Sequence, residues 1–441
     1  MNCTSKTPLT WESIDWQKVN QEVKNLQSRI FVAKQEKDRR RLRRLQKLLL
    51  KSRSNILVSI RKVLIQNEGK ETPGIDKVTI PKSERIKLFH ELESIDMKSY
   101  NPFPVRRVYI PKTDGKERPL GIPTIKDRCI QAIVKNCLEP EWEAIFESTS
   151  YGFRPGRSPH DALSRIYNVT SVKKHGMNKK QWILDADIEG FFNNVCHEDI
   201  LTKLDNFPAK KPIEKWLKAG YMENNKIFPT EKGTPQGGII SPLLANIALY
   251  DLEEILKSTP DSTGRVRGSK VYIRYADDFV VLCSSLEEAR KTQIEISTWL
   301  KSKGLKIAGN KTRIVHIEQG FDFLGVNIRH HKTNSNSKAK NKVLLMQPSN
   351  KSMKKIKWKL KHEWHYLRSK SIDIVLNRLN PIIIGWTNYF RKYVATEQFR
   401  HLDNWMYLKC QNYASRMHPN KGKRWIYDKY FGNFVSYRND K

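Results

Sequence analysis

The chain has no apolar run approaching the roughly 18–20 residues of a membrane-spanning helix. Met1 to Thr10 lack the apolar core of a secretory signal. These absences lead us to expect a soluble intracellular protein with no membrane partner. None of the six cysteines, Cys3, Cys129, Cys137, Cys196, Cys283 and Cys410, belongs to a C-x-x-C pair, which excludes a zinc knuckle and a disulfide framework. Internal repeats are absent. Acidic residues are scarce: 46 Asp and Glu stand against 81 Lys and Arg, a formal charge of +35 over 441 residues.

Such a charge opposes compaction and implies a polyanionic partner, of which nucleic acid is the plainest. It is also uneven. Residues 1–70 carry 17 Lys and Arg against 6 acids, and residues 331–441 carry 24 against 6. The two ends are basic, and most carboxylates lie between them.

Trp16, Val19, Val23, Leu26 and Ile30 recur at three- and four-residue spacing, so residues 11–65 are expected to be helical. A cluster follows at Arg39, Arg40, Arg41, Arg43 and Arg44, interleaved with leucines. It suits a helix packed on one side and touching RNA on the other, with Arg40, Arg43 and Arg44 as candidate contacts. Thr72-Pro73-Gly74 ends this region. Val105 to Pro111 and Arg118 to Pro123, around Asp114-Gly115, are expected to form a basic hairpin. Lys126 to Phe146 returns to a helical pattern. Residues 331–344 are polar and poor in apolar side chains, a linker signal. From about Ser349 a small basic helical domain is expected, with Trp358, Trp364, Trp386, Trp405 and Trp425 spaced through it.

The most informative segment is Val271-Tyr-Ile-Arg-Tyr-Ala-Asp-Asp-Phe-Val-Val-Leu-Cys283. Two apolar β-runs flank a tip bearing Asp277 and Asp278. Adjacent carboxylates repel, and a hairpin between buried strands is a costly place for them. A hard divalent cation with oxygen ligands resolves the conflict. Upstream lies Trp182-Ile-Leu-Asp-Ala-Asp-Ile-Glu-Gly-Phe-Phe192, where strand alternation puts Asp185, Asp187 and Glu189 on one face. Parity does not choose between Asp185 and Asp187. Carboxylates on separate strands can hold the paired ions of a polymerase: one activates a primer 3′-hydroxyl, the other neutralises the triphosphate. Between the two strands, Gly233-Thr-Pro-Gln-Gly-Gly238 allows close backbone approach, and Ser241-Pro242 reads as a helix cap and first helical position.

In order, these residues resemble a reverse transcriptase of the group II intron-encoded class. Trp16 through Leu57 is similar to its N-terminal domain. Arg107-Val-Tyr-Ile-Pro-Lys112, Arg118-Pro-Leu-Gly-Ile-Pro123 and Asp127-Arg128 resemble its fingers. Tyr151-Gly-Phe-Arg-Pro-Gly-Arg157-Ser158, the Asp187 strand, the Gly233–Pro242 loop, Tyr275-Ala-Asp-Asp278, Gly304-Leu with Lys311-Thr312, and Phe321-Asp-Phe-Leu-Gly325 follow. Leu379-Asn-Pro-Ile-Ile-Ile-Gly-Trp-Thr-Asn-Tyr-Phe390 resembles the thumb, or maturase, domain.

The resemblance implies an α+β right-hand polymerase. An N-terminal helical RNA-binding extension would span residues 1–70, fingers and palm 71–330, and a helical thumb/maturase domain 345–441. It implies an RNA-directed DNA polymerase that uses two Mg²⁺ ions, with Mn²⁺ as substitute. The partners it implies are intron RNA template, DNA primer or target, and dNTPs, in a bacterial cytoplasm or an organellar matrix or stroma. The class's first catalytic Asp lies five residues before an aromatic sugar gate, which selects Asp187 with Phe192 as gate. Asp277 is then the second metal ligand and Asp278 its neighbour at the metals. Lys112 and Arg118 resemble residues that hold the triphosphate, and Gln236 one beside the templating pair. Asn193 stands where the class often has Asp. Lys77 follows Gly74-Ile-Asp76 where a second glycine is common. The chain ends at Lys441, whereas longer members continue into a DNA-binding region and an HNH endonuclease, so cleavage of a second DNA strand is not expected of it. Two other readings are a splicing-only RNA-binding maturase and a host-adapted reverse transcriptase serving defence or repair.

Overall fold

The computed structural model describes residues 10–111, 115, 117–171, 180–257, 268–332 and 342–431. Three helices open the chain: α1 (Trp16–Gln35), α2 (Arg39–Leu50) and α3 (Arg53–Arg61), the last continued by a π-helical turn. Each starts at a side-chain cap. The Asp15 carboxylate accepts from the amides of Gln17 and Lys18, Asp38 from Arg41, and Ser52 Oγ from Asn55. The caps satisfy amides that have no partner within the helix. Val23, Ile30, Leu42, Leu45, Leu49, Ile56 and Ile60 point inward, as their spacing predicts.

These helices, with α4 (Arg85–Glu93), share one core with α5 (Ile125–Glu143), a helix buried along most of its length. Arg43 belongs to that packing. Its guanidinium donates to Glu141 Oε2 at 2.8 Å and to Gln46 Oε1 at 2.7 Å, and both partners are buried. The expectation that Arg43 faces RNA is therefore corrected. Glu141 is buried and needs a counter-charge, whereas Arg40 and Arg44 are exposed.

The two strands of the expected basic hairpin pair, while Asp114 of its expected turn lies outside the described residues. Strands β1 (Val105–Pro111) and β2 (Glu117–Ile122) pair antiparallel, Arg106 opposite Ile122. Asp127 and Arg128 at the start of α5 are structural. Asp127 accepts from Tyr100, Thr124 and Trp216, and Arg128 donates to the carbonyls of Gly69, Thr72 and Pro123. After α6 (Pro159–Thr170) come β3 (Trp182–Ala186), α7 (Phe191–Asn194), α8 (His197–Lys203) and α9 (Lys210–Lys218). Strands β4 (Tyr221–Glu223) and β5 (Lys226–Phe228) extend the hairpin into a sheet of order β2-β1-β4-β5.

Helix α10 (Ser241–Ala248) begins at Ser241 and has Ile240 at its cap position, with no side-chain cap bond. Ser241 is buried inside the first turn, so it does not cap as expected. Then follow α11 (Leu252–Ile255), the hairpin β6 (Val271–Tyr275) and β7 (Asp278–Cys283), and α12 (Leu286–Ser302). The central sheet has the order β6-β7-β3-β8, with β8 running Arg313–His316.

The described residues fall into two compact units: one up to Val169 and from Lys180 to Ile314, the other Thr170, Ser171 and the residues from Val315 onward. The second contains a sheet of β9 (Phe321–Phe323), β10 (Val326–Lys332) and β11 (Lys342–Pro348), with β10 in the middle. The linker expected at 331–344 is corrected at both ends: His330 pairs with Leu344 and Lys332 with Lys342 in one antiparallel ladder. Residues 333–341 lie outside the described residues. Helices α13 (Asn350–Tyr366), α14 (Ile372–Phe390), α15 (Thr396–Met417) and α16 (Lys423–Tyr430) follow. Their core includes Ile356, Leu360, Trp364, Leu379 and Tyr413. Among the described residues no helix is long and apolar enough to cross a membrane.

Lys77 has φ 55°, the left-handed region that suits glycine. Its side chain is exposed. Lys77→Gly should relieve about 1–2 kcal/mol of backbone strain and lose part of that gain to a freer unfolded chain. Equilibrium urea unfolding should show a net gain of roughly 0.5–1 kcal/mol. An unchanged or lowered midpoint would show that this backbone is not strained.

Candidate active site

In the central sheet β3 and β7 are antiparallel, with Trp182 opposite Cys283 and Ala186 opposite Phe279. The ladder ends there, and Asp187 and Asp278 follow at that end, close enough for their charges to act on one another. The β6–β7 turn is tight: Tyr275 pairs with Asp278, and Ala276 between them has φ 60°. The ladder and the turn together therefore leave Asp187, Asp277 and Asp278 at one end of the sheet. Phe279 to Cys283 are buried and anchor this end of the hairpin in the core.

The carboxylates act on one another. Loss of hydration raises the pKa of Asp277, and the charge of Asp187 raises it further, while Arg118 and Lys311 oppose the rise. Asp278 is raised to about 7, first by desolvation, then by Asp277, Asp187 and Asp185. Its side chain nevertheless reaches water. Two cations answer the repulsion. Lys311 Nζ is ion-paired with Asp187, and Arg313 Nε donates to Asp185 Oδ2 at 3.1 Å. The two candidates that alternation left equal are thus distinguished by neighbourhood: Asp187 lies beside the β6–β7 turn, and Asp185 is held by the edge-strand arginine.

Among the described residues, no three Asp, Glu, His or Cys side chains close around a single point. The donor set still fits Mg²⁺ or Mn²⁺. Oxygen ligands on one open side suit a hard ion that retains waters and takes further ligands from phosphate.

Gly190 has φ 53° and turns the chain into α7, where Phe191 is buried and Phe192 half-buried. The Gly-rich loop is stitched to both sides of this turn. The amides of Gly233 and Thr234 donate to the carbonyls of Val195 and Phe192, and the amide of Gly121 in β2 donates to that of Gln236, each at 2.7 Å. A Cβ on Gly237 would lie 2.6 Å from the Gly121 oxygen. Phe192, Gln236, Arg107, Tyr221 and Trp216 line a cavity of about 380 Å³. Gln236 and Phe192 thus share one cavity, and Arg118 lies within electrostatic reach of Asp277. Lys112 lies outside the described residues. Arg40 and Arg44 lie on α2, in the helical layer packed on α5.

Sequence reasoning missed the parts played by Lys311 and Arg274. The run Lys311-Thr312 suggested no role for its lysine. Arg274, fully buried, had a visible signal: it is a lone charge in an apolar strand. Its guanidinium donates to Asn246 Oδ1 at 2.9 Å and to Glu147 Oε2 at 3.3 Å, directly behind the carboxylate turn.

Residues 110–328 match the family of reverse transcriptases (RNA-dependent DNA polymerases), residues 11–92 the N-terminal domain of reverse transcriptase, and residues 353–431 the group II intron maturase-specific domain. Protein YkfC of Escherichia coli is 32% identical over 316 residues, covering 64% of this chain and 82% of that protein. The group II intron-encoded protein LtrA of Lactococcus lactis is 30% identical over 427 residues, covering 78% of this chain and 69% of that protein. An uncharacterized 91 kDa protein in the cob intron of Schizosaccharomyces pombe is 28% identical over 416 residues, covering 79% and 51%.

Raising the folded pKa of Asp278 from 3.8 to about 7 makes the folded state hold a proton that the unfolded chain has released across that window. The stability contributed by this group is present at low pH and is lost as pH rises toward 7. In chelator, the melting temperature of the native protein should therefore fall more steeply between pH 4 and 7 than that of Asp278→Asn. Added Mg²⁺ should offset the fall, because ions bind the ionised form. Parallel pH profiles for the two proteins in chelator would remove Asp278 as the group responsible.

Proposed function

From the premise that the chain belongs to the group II intron-encoded reverse transcriptases, and so is an RNA-directed DNA polymerase with a maturase domain, we propose how its residues divide the work. Asp187, Asp277 and Asp278 hold the catalytic metals. The observation that carries this reading is the β3–β7 register, which brings three mutually repelling carboxylates to one solvent-open end of the sheet. Two divalent ions bound there, Mg²⁺ or Mn²⁺, would lower the pKa of the primer 3′-hydroxyl and neutralise charge on the triphosphate. Arg118, with Lys112, draws the triphosphate of the incoming dNTP toward Asp277. Gln236 borders the nascent pair, with its backbone tied to β2. The Phe192 ring excludes a ribose 2′-hydroxyl by bulk.

The template is intron RNA, and the primer is a DNA strand at the target. RNA is gripped away from the metals, by exposed cations such as Arg40 and Arg44 and by the basic C-terminal helices. The charge map favours this division: acids collect in the middle of the chain and cations at its ends. Relatives in Escherichia coli and Lactococcus lactis favour a bacterial cytoplasm as the place of action.

Asp277→Asn removes one anionic ligand and nearly preserves shape. Primer extension on RNA should collapse, while intron RNA affinity should hardly change, because phosphate contacts elsewhere dominate it. Replacing Arg40 and Arg44 with Ala should weaken RNA binding. The slope of log K against log salt should become shallower by roughly 0.7–0.9 for each phosphate that is no longer neutralised. Filter binding across a salt series, with primer extension on both variants, decides the matter. Loss of RNA binding in Asp277→Asn, or an untouched salt slope in the double-Ala variant, would refute the division.

Phe192→Ala should raise ribonucleotide incorporation relative to deoxyribonucleotide, read as the ratio of the two kcat/KM values in single-nucleotide extension. An unchanged ratio removes Phe192 from the gate.

A further inference from the structure

The run Tyr151-Gly-Phe-Arg-Pro-Gly-Arg157 has no part in the proposed division of work, yet many bonds hold it in place. Arg154 donates to the carbonyls of Glu147 and Ser150 and pairs with Glu143, and Arg157 donates to Ser148 and Ser150. Backbone bonds from Arg274 N to Thr149 O and from Tyr151 N to Arg274 O seat the loop on β6. Asn246, held by Arg274, donates its side-chain amide to Gly152 O at 2.9 Å. A Cβ on Gly152 would collide with the Ala276 amide, so only glycine lets the loop lie directly on the carboxylate turn.

The next residue is Phe153. Its backbone has φ 60°, a left-handed conformation that is an outlier for a bulky side chain. Core packing does not account for it, because Phe153 is 47% exposed. Strain of this kind persists only where the surroundings over-determine it, and it gathers at functional sites. What the ring does meet is Phe192: the two are edge to face, with centroids 6.4 Å apart and planes at 80°. Phe191 flanks Phe192 with centroids 5.4 Å apart.

We propose that Phe153 is a specificity-determining positioning residue, whose ring holds Phe192 where Phe192 excludes the ribose 2′-hydroxyl. This rests on the reading of Phe192 as the sugar gate. The seat of Phe153 is fixed by Gly152 on the Ala276 turn, so gate and carboxylates are located by the same backbone. Phe153 acts on the sugar only through Phe192.

The test compares native protein, Phe153→Gly, Phe153→Tyr, Phe192→Ala and the double variant Phe153→Gly/Phe192→Ala. The readout is the ratio of kcat/KM for a deoxyribonucleotide to that for the matching ribonucleotide, in single-nucleotide extension with Mg²⁺. Glycine suits φ 60°, so Phe153→Gly removes the ring without adding strain, and its melting temperature checks the fold. The ratio should fall on the order of tenfold in Phe153→Gly, the scale on which pocket shape discriminates. It should be kept in Phe153→Tyr, which retains the ring. In the double variant it should be no lower than in Phe192→Ala alone, because residues acting as one unit are not additive. A lowered ratio in Phe192→Ala with an unchanged one in Phe153→Gly overturns this inference and leaves the gate standing. Equal losses in the Tyr and Gly variants, or multiplicative losses in the double variant, also overturn it. An unchanged ratio in Phe192→Ala removes the gate itself, and the inference with it.

Discussion

Like charges resist being brought together, and this protein gathers Asp187, Asp277 and Asp278 at one end of a sheet. Desolvation and mutual repulsion raise the proton affinity of Asp277 and Asp278, so the backbone that holds them must be stiff enough not to relax. That stiffness comes from below and behind. Below, the buried run Phe279–Cys283 locks β7 between β6 and β3. Behind, the buried Arg274 guanidinium is tied to Glu147 and Asn246. A buried cation left without partners would be costly. The bonds that satisfy Arg274 therefore also fix the loop and helix that surround the turn.

The same repulsion explains which cations sit where. Lys311, Arg313 and Arg118 meet the carboxylates from different elements. They moderate the repulsion without burying the site, which keeps one side open to a polyphosphate. Away from these carboxylates the excess of Lys and Arg is greatest at the two ends of the chain, where it raises the local concentration of polyanions. Clustered carboxylates and a substrate that is itself negative are reconciled by a chain whose cations outnumber its acids throughout, most of all at its two ends.

Much of this was legible in the sequence. Alternation and the apolar runs around Asp277 gave the hairpin, and Trp16 to Ile30 gave the first helix face. What alternation could not give was the choice between Asp185 and Asp187, because both lie on one strand face. The difference is set by strand partners far away in sequence. Arg43 was misjudged for a related reason. In a stretch with five arginines, composition does not say which one meets a buried Glu141 nearly a hundred residues later. The polar stretch at 331–344 looked like a linker because its ends are strand termini, largely open to water, that are held by pairing with each other rather than by their own hydrophobicity. The run around Phe153 was visible as a motif, but its strain was not, since a left-handed backbone at a non-glycine residue is invisible in composition.

The ion pair of Arg43 with Glu141 carries a consequence for how the chain is divided. The two family matches leave a seam between residues 92 and 110. Yet α1, α2, α3 and α5 share one core, and Lys34 and Arg43 both close on Glu141. Removing the first helices would strand a buried carboxylate and uncover the apolar length of α5. The segment that looks like an appendix is therefore the other half of the interior that α5 fills. Dividing the chain at that seam would cut through a single core, which among the described residues already begins at Trp11.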